Sequence, residues 1–203
     1  MISLIILTQT VLTKVDSVKT DENRPNAEEL ALINQYSDRQ FSADEVFVAS
    51  MILCDNDVDK DYEQFTCGSL MKLAKLYEGM RGAVDIYSNY TPRIFSCKLK
   101  PVPGKVNKLG EPYYTLVAKF YLPAVPETAA LRAMIADGSI SKVSVGCSTD
   151  PAVCSICHKP LSECEHVKGH FYDSELCYGL LYNPEDVYEF AFVADSMVNV
   201  LER

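Results

Sequence analysis

The strongest constraint on how this chain folds is a group of metal-binding residue types between positions 154 and 166. Two residues separate Cys154 from Cys157, six separate Cys157 from Cys164, and one separates Cys164 from His166. This spacing lets a chain fold back and present three thiolates and one imidazole to a single tetrahedral ion, and zinc best matches that ligand set. Four protein ligands close the coordination sphere, so the sequence predicts a structural zinc site rather than a catalytic one.

Several neighbours bear on this predicted site. Cys177 or His170 is an alternative donor for one ligand position, whereas His158 is expected to be a solvent-exposed neighbour. Similar spacings occur in nucleic-acid-binding knuckles, but Glu163 and Glu165 would repel phosphate. A nucleic-acid partner is therefore disfavoured.

The size and charge of the chain limit its class. With 203 residues, of which 48% are hydrophobic, it has enough apolar material for one core and one domain. Such a core needs no disulfide scaffold, so we expect a reducing compartment and four buried free thiols, at Cys54, Cys67, Cys97 and Cys147. The net charge of −9 argues against a general phosphate-binding surface and favours a protein partner.

The amino-terminal residues form a separate predicted segment. Residues 1–8 are apolar but too short to span a bilayer, and they lack the features of a signal peptide, so we interpret them as a strand or a docking arm. Residues 1–29 are predicted to be an arm or linker, and residues 30–203 one domain whose zinc knuckle covers residues 154–177.

Hydrophobic periodicity and capping residues predict the main elements of that domain. Helices are expected at residues 27–36, 69–77 and 126–137, and strands at 46–54, 83–98, 112–122, 141–147 and 186–194. The acidic stretch at residues 55–63 resembles a calcium-binding loop, but Lys60 and Thr66 stand where such a loop needs Gly and Glu. A solvated turn is predicted there instead.

The order of these elements resembles the prohead (capsid maturation) proteases of tailed bacteriophages, in particular their zinc-knuckle subgroup. The likeness rests on a Val-Ser-Val-Gly strand at residues 143–146, the Cys/His knuckle after it, and the closing strand Tyr-Glu-Phe-Ala-Phe-Val-Ala at 188–194. It covers residues 30–195, nearly the whole chain. The resemblance implies an α+β fold similar to the herpesvirus assembly protease. Its compact mixed or antiparallel β-barrel-like core would be flanked by helices, with the Cys3His knuckle as an insertion.

The same resemblance implies a function and a set of partners. Such a serine protease cuts scaffold or capsid-protein segments inside the immature capsid, in the cytoplasm of a bacterial host. Its partners would be the scaffold and major capsid proteins, together with a possible homo-oligomer and no membrane. Ser144 stands at the position of the nucleophile, and Glu189 at a position suited to a third, orienting group. The alternative for Glu189 is an outward-facing charge on an alternating strand.

The sequence departs from this family at the catalytic base. Asp85 and Arg93 match the family's pattern, but Ile86 stands where the histidine should be, and isoleucine accepts no proton. Three outcomes follow: His158 or His170 replaces the missing base, another base supports residual activity, or the chain is a catalytically silent structural component. The sequence thus leaves open whether the protein is an enzyme.

Overall fold

The computed structural model describes residues 8–11, 23–83 and 90–194. Its helices are α1 (Ala27–Tyr36), α2 (Cys67–Tyr77) and α3 (Ala129–Ala136). Its strands are β1 (Thr8–Val11), β2 (Val46–Asp55), β3 (Glu63–Phe65), β4 (Arg93–Val106), β5 (Pro112–Pro123), β6 (Ile140–Ser148), β7 (Val153–Cys154), β8 (Phe171–Tyr172), β9 (Glu175–Leu176), β10 (Gly179–Leu181) and β11 (Asp186–Ala194). The described part of the chain is α+β and mostly strand, which confirms the predicted class at this level.

Three sheets organise the domain. Sheet I has the order β1-β6-β11 and sheet II the order β2-β5-β4, and all pairings in both are antiparallel. Sheet III has the order β3-β10-β7, with β10 parallel to β3 and antiparallel to β7, and a separate hairpin joins β8 to β9. No strand pairing in the described ranges joins sheet I to sheet II, so these strands do not form a closed barrel.

Sheets I and II share the main hydrophobic core. Successive residues of a strand point to opposite faces, so Val143 and Val145 of β6 lie on the same face as their partners Phe192 and Phe190 of β11. All four are buried, and the ring centroid of Phe192 lies 5.2 Å from that of Phe120 in sheet II. The apolar face of the strand that carries Ser144 is therefore fixed by the core.

A second, smaller core lies where α1 meets sheet II. Its members are buried apolar side chains of the helix and of strands β2, β4 and β5: Ile33, Val46, Val48, Phe95 and Tyr121. The helix begins after a capping box in which the Asn26 side chain accepts from the Glu29 amide at 2.9 Å and the Glu29 carboxylate accepts from the Asn26 amide at 3.1 Å. α1 therefore covers one face of sheet II, and the capping box fixes the residue at which the helix begins.

The helix α2 joins the core to sheet III. Thr66 caps it by accepting a hydrogen bond from the Ser69 amide at 3.1 Å, and Leu70, Leu73 and Tyr77 form its buried stripe. The Ser69 hydroxyl donates to the Leu181 carbonyl at 2.7 Å, which ties the first turn of α2 to the end of β10.

The predicted helices and strands are present, but some have other bounds. α1 and β11 have the predicted bounds, whereas the helix predicted at residues 126–137 is a 3-10 turn, Pro126–Thr128, followed by α3. The strand predicted from residue 83 begins at Arg93, and residues 84–89 lie outside the described residues. Most of the predicted amino-terminal arm also lies outside them, but Thr8–Val11 pairs with β6 and so extends sheet I.

The scattered cysteines agree with their predicted role except at one position. Cys54, Cys97 and Cys147 are buried, and burial raises the pKa of Cys97 to about 12 and that of Cys147 to about 11. Such thiols stay protonated and pack as small apolar groups. Cys67 was predicted to be buried but is half-buried, because it lies at the first position of α2, where a helix end has fewer neighbours.

Candidate metal centre and the Ser144 strand

The structure brings all four predicted metal-binding residues together. The ligand atoms of Cys154, Cys157, Cys164 and His166 lie within 4.8 Å of one another. Cys154 ends β7, Cys157 follows in the next turn, and Cys164 comes directly after the 3-10 turn Leu161–Glu163. The group therefore gathers donors from two loops that follow one another along the chain.

A tight turn sets the spacing of the first two thiols. The His158 amide donates to the Cys154 carbonyl at 3.0 Å, and the Cys154 amide donates to the Lys159 carbonyl at 2.9 Å. His158 adopts the left-handed backbone conformation, with φ of 56°, and its side chain is exposed as predicted. The Ile156 amide points at the Cys154 sulfur at 3.4 Å, a contact that favours the thiolate.

The electrostatics of Cys154 suit a metal ligand. Burial works against its thiolate, but hydrogen bonds from the Cys157 and Ile156 amides and contacts with the Cys157 and Cys177 side chains lower its pKa to about 6. A coordinating cysteine must be deprotonated, so this environment prepares the sulfur for binding.

His166 shows the clearest sign that a group is needed at this site. Its Nδ1 atom is buried and has no hydrogen-bond partner among the described residues, and its ring lies edge-on to Tyr172 at a centroid distance of 4.5 Å. A buried polar atom without a partner costs free energy, which a bound ion would offset. Three sulfurs and this nitrogen therefore fit a tetrahedral soft or borderline metal ion.

The two alternative donors named from the sequence differ in their placement. The Cys177 sulfur is fully buried and lies 3.8 Å from the Cys154 sulfur. His170 is exposed and is not part of the close group. Neither belongs to the close group of four, but the Cys177 sulfur lies beside that of Cys154.

The knuckle that carries the candidate metal centre packs against the acidic segment that follows β2. β10 pairs with β3, the Gly179 amide donates to the Tyr62 carbonyl at 2.8 Å, and Lys168 forms an ion pair with Glu63 at 2.6 Å. The sequence did not indicate this contact, since it follows from the parallel pairing of two three-residue strands far apart in the chain.

The acidic segment is held by its own side chains. Asp55 accepts from the Asp57 amide at 2.8 Å, and Asp59 accepts from the amides of Asp61 and Glu63 at 2.9 Å each. These carboxylates cap backbone N–H groups in a turn, as aspartate commonly does. These hydrogen bonds hold the segment, residues 55–63, in one conformation against the knuckle, and we call it the acidic platform. Its core-facing residues Asn56 and Val58 are buried.

Ser144 lies in the middle strand of sheet I. It pairs with Gln9 of β1 and Ala191 of β11, and its side chain is half-buried on the face opposite the core. Glu189 pairs with Gly146, so register places it on the same face as Ser144, one pair further along, and it is exposed. A buried hydrogen bond of 3.3 Å from the Tyr77 hydroxyl to the Gly146 carbonyl fixes β6 from the core side.

The described residues supply no imidazole partner to Ser144. His166 belongs to the metal group, and His158 and His170 are exposed on the knuckle, with no hydrogen bond to Ser144 within the described ranges. Asp85, Ile86 and Tyr87, which surround the predicted position of the lost base, lie outside the described residues.

Comparison with known proteins adds no assignment. No family model, curated protein or solved structure matches this chain. Within the described ranges, no helix combines the length and apolar character needed to cross a membrane.

Proposed function

We propose that this protein takes part in bacteriophage capsid assembly as a member of the prohead-protease type, with a structural zinc in its Cys/His centre. The observation that carries the proposal is the position of that centre in the fold. The knuckle is inserted between β6, which holds Ser144, and β11, which pairs with β6 along most of its length. This is the order of elements on which the resemblance to the zinc-knuckle proteases rests.

The ligand chemistry supports zinc as the ion. Three thiolates with one imidazole are a common structural zinc set, and hard cations such as calcium and magnesium prefer oxygen. When bound, the ion would supply a cross-link between the two loops of the knuckle. Cys154, Cys157, Cys164 and His166 would hold it, and the partnerless Nδ1 of His166 supports that assignment.

The proposed barrel-like core rests on how sheets I and II pack. Their apolar faces meet through Phe120 and Phe192, and β1 of sheet I lies beside β2 of sheet II. Two antiparallel sheets packed on a common core and flanked by α1 and α2 would suit an assembly-protease fold.

If the protein cleaves its partners, Ser144 is the proposed nucleophile and Glu189 the orienting carboxylate. A serine hydroxyl attacks a peptide carbonyl only when a neighbouring base takes its proton. Ser144 and Glu189 share the face of sheet I opposite the core, where Ser144 is half-buried and Glu189 exposed, and catalysis by this pair would also need a base.

The second candidate function is a catalytically silent component that keeps the fold for contact with scaffold or capsid proteins. One observation favours it: in the described residues no histidine contacts Ser144, and one of the three histidines is committed to the metal group. Loss of a triad base typically reduces the rate by several orders of magnitude.

Co-expression with the neighbouring scaffold and capsid proteins separates the two candidates. Intact masses of those partners would be compared for the native chain, Ser144→Ala and the control Ser148→Ala, which alters a second serine of the same strand and face. Fragments that disappear only with Ser144→Ala identify a working serine protease, and Glu189→Gln should then slow their formation. Intact partners that co-purify with all three chains support the silent component, and intact partners that never co-purify contradict both candidates.

A further inference from the structure

Cys177 has the geometry of a metal ligand, although it stands outside the spacing pattern that defines the knuckle. Its sulfur lies 3.8 Å from that of Cys154. Two thiolates bound to one tetrahedral zinc at the usual Zn–S length are about 3.8 Å apart. The pair Cys154 and Cys177 is therefore spaced as two ligands of one ion would be.

The backbone holds Cys177 against the loop that carries His166. The Cys177 amide donates to the His170 carbonyl at 2.8 Å, and the Gly169 amide donates to the Cys177 carbonyl at 2.8 Å. On its other side, Gly179 is the register partner of Cys154. These contacts fix Cys177 between the two loops of the knuckle.

Four donors lie within 4.8 Å of one another, and the thiol of Cys177 is a fifth soft donor beside one of them. The imidazole of His166 is half-buried, whereas the thiol of Cys177 is fully buried next to a ligand sulfur. With His166 as a ligand the centre carries one negative charge, and with Cys177 in its place it carries two. The softer the ion, the more the second form gains from its fourth sulfur.

We propose that Cys177 is the fifth donor of this centre and replaces His166 as a ligand, so that the site binds a soft or borderline divalent ion either through three thiolates and an imidazole or through four thiolates. This inference rests on the metal centre put forward under the proposed function. It predicts that neither His166 nor Cys177 is indispensable alone and that each compensates for the other.

The test uses the full chain loaded with cobalt or cadmium, because sulfur-to-cobalt charge-transfer absorption and the cadmium NMR shift both report the number of bound thiolates. His166→Ala should retain one ion per chain and show a four-thiolate signature. Cys177→Ser should retain one ion with three thiolates and an imidazole. The double variant, with both His166→Ala and Cys177→Ser, should bind the ion more than about 100-fold more weakly. That loss exceeds the one expected when only a hydrogen-bond partner of a metal ligand is removed. His170→Ala, which alters an exposed histidine of the same loop, serves as the control.

Two results would overturn the inference. One is that His166→Ala loses the ion as fully as Cys157→Ser does; the other is that it keeps the ion with only three thiolates. If the native chain itself binds neither cobalt nor cadmium, the metal centre fails, and that result is separate from either outcome. Hydrogen exchange of β6 and β11 in each variant verifies that the sheet carrying the insertion remains folded.

Discussion

Gly169 lies directly against the ring of Tyr62, and this contact joins the loop of His166 to the acidic platform beneath it. A Cβ added at Gly169 would lie 2.7 Å from Cε2 of Tyr62, and the glycine has a φ of +83°. Both the space and the backbone conformation therefore require glycine at this position.

Gly169→Ala should destabilise the protein through both effects. The left-handed conformation costs an alanine about 1–2 kcal/mol, and displacement of the Tyr62 ring adds a further term of about 1 kcal/mol. Gly110→Ala is a matched control, since Gly110 has a φ of +81° and no atom within 4 Å of its added Cβ. Urea unfolding of both variants should show the larger loss for Gly169→Ala. In a Tyr62→Ala background the difference between them should vanish; if it persists, the Tyr62 contact is not its source.

Metal removal should loosen the knuckle while leaving the main core folded. The residues from β7 to β10 are mostly short strands and turns joined to the rest of the domain through sheet III and a few side chains, whereas sheets I and II share an apolar core. A strong chelator should therefore abolish amide protection at residues 153–178 and preserve it at Val143 and Val145.

The same experiment has a matched pair of variants. Cys157→Ser should reproduce the effect of the chelator and abolish the zinc content, whereas Cys67→Ser, a half-buried thiol outside the metal group, should retain one zinc per chain. Equal zinc content in both variants would contradict the assignment of Cys157 as a ligand.

Tyr77→Phe should weaken the anchoring of β6. The variant removes the buried hydrogen bond from the Tyr77 hydroxyl to the Gly146 carbonyl and keeps the ring, so we expect a loss of about 1 kcal/mol in the free energy of unfolding. Burial also raises the pKa of Tyr77 above its usual range, so the hydroxyl remains a donor at all ordinary pH values. Tyr182→Phe, at an exposed tyrosine, should be nearly neutral. A neutral Tyr77→Phe would mean that this hydrogen bond adds nothing to stability.

Asn56→Ala should be among the most damaging polar substitutions. The buried Asn56 side chain donates to the Pro112 carbonyl at 2.9 Å and accepts from the Tyr114 amide at 2.7 Å. Its removal leaves both backbone groups without that partner, which we expect to cost about 2–3 kcal/mol. Gln35→Ala, at an exposed polar position of α1, is the control, and thermal unfolding of the two variants measures the difference. An equal shift in melting temperature would contradict the role assigned to Asn56.

The sequence predicted the elements whose signals are local. α1 and β11 were predicted with the observed bounds, because both patterns depend only on near neighbours. In the structure, the capping box of Asn26 and Glu29 fixes the start of α1. The four candidate metal ligands were also predicted to lie together, since a short spacing leaves few ways to arrange them. Local pattern therefore identified the centre and the strand that follows it.

Contacts between segments that are distant in the chain could not be predicted from the sequence. The pairing of Gly179 with Glu63 and the approach of Tyr62 to Gly169 depend on how the knuckle folds back on the domain. Strands of two or three residues carry too little periodicity to be recognised. The shared face of Ser144 and Glu189 likewise follows from a register that a bulge between Val187 and Glu189 sets.

A metal ion bound in the knuckle would also affect the two strands from which the knuckle projects. The excursion leaves β6 and returns to β11 at one place, where the Glu185 amide donates to the Ser148 carbonyl at 3.1 Å and the Asp150 amide to the Tyr182 carbonyl at 3.2 Å. Pairing the two ends of a long insertion costs loop-closure entropy. A cross-link inside the insertion lowers this cost, because it shortens the flexible part of the chain. The ion would thus favour the pairing of β6 with β11 at this end of sheet I without touching either strand.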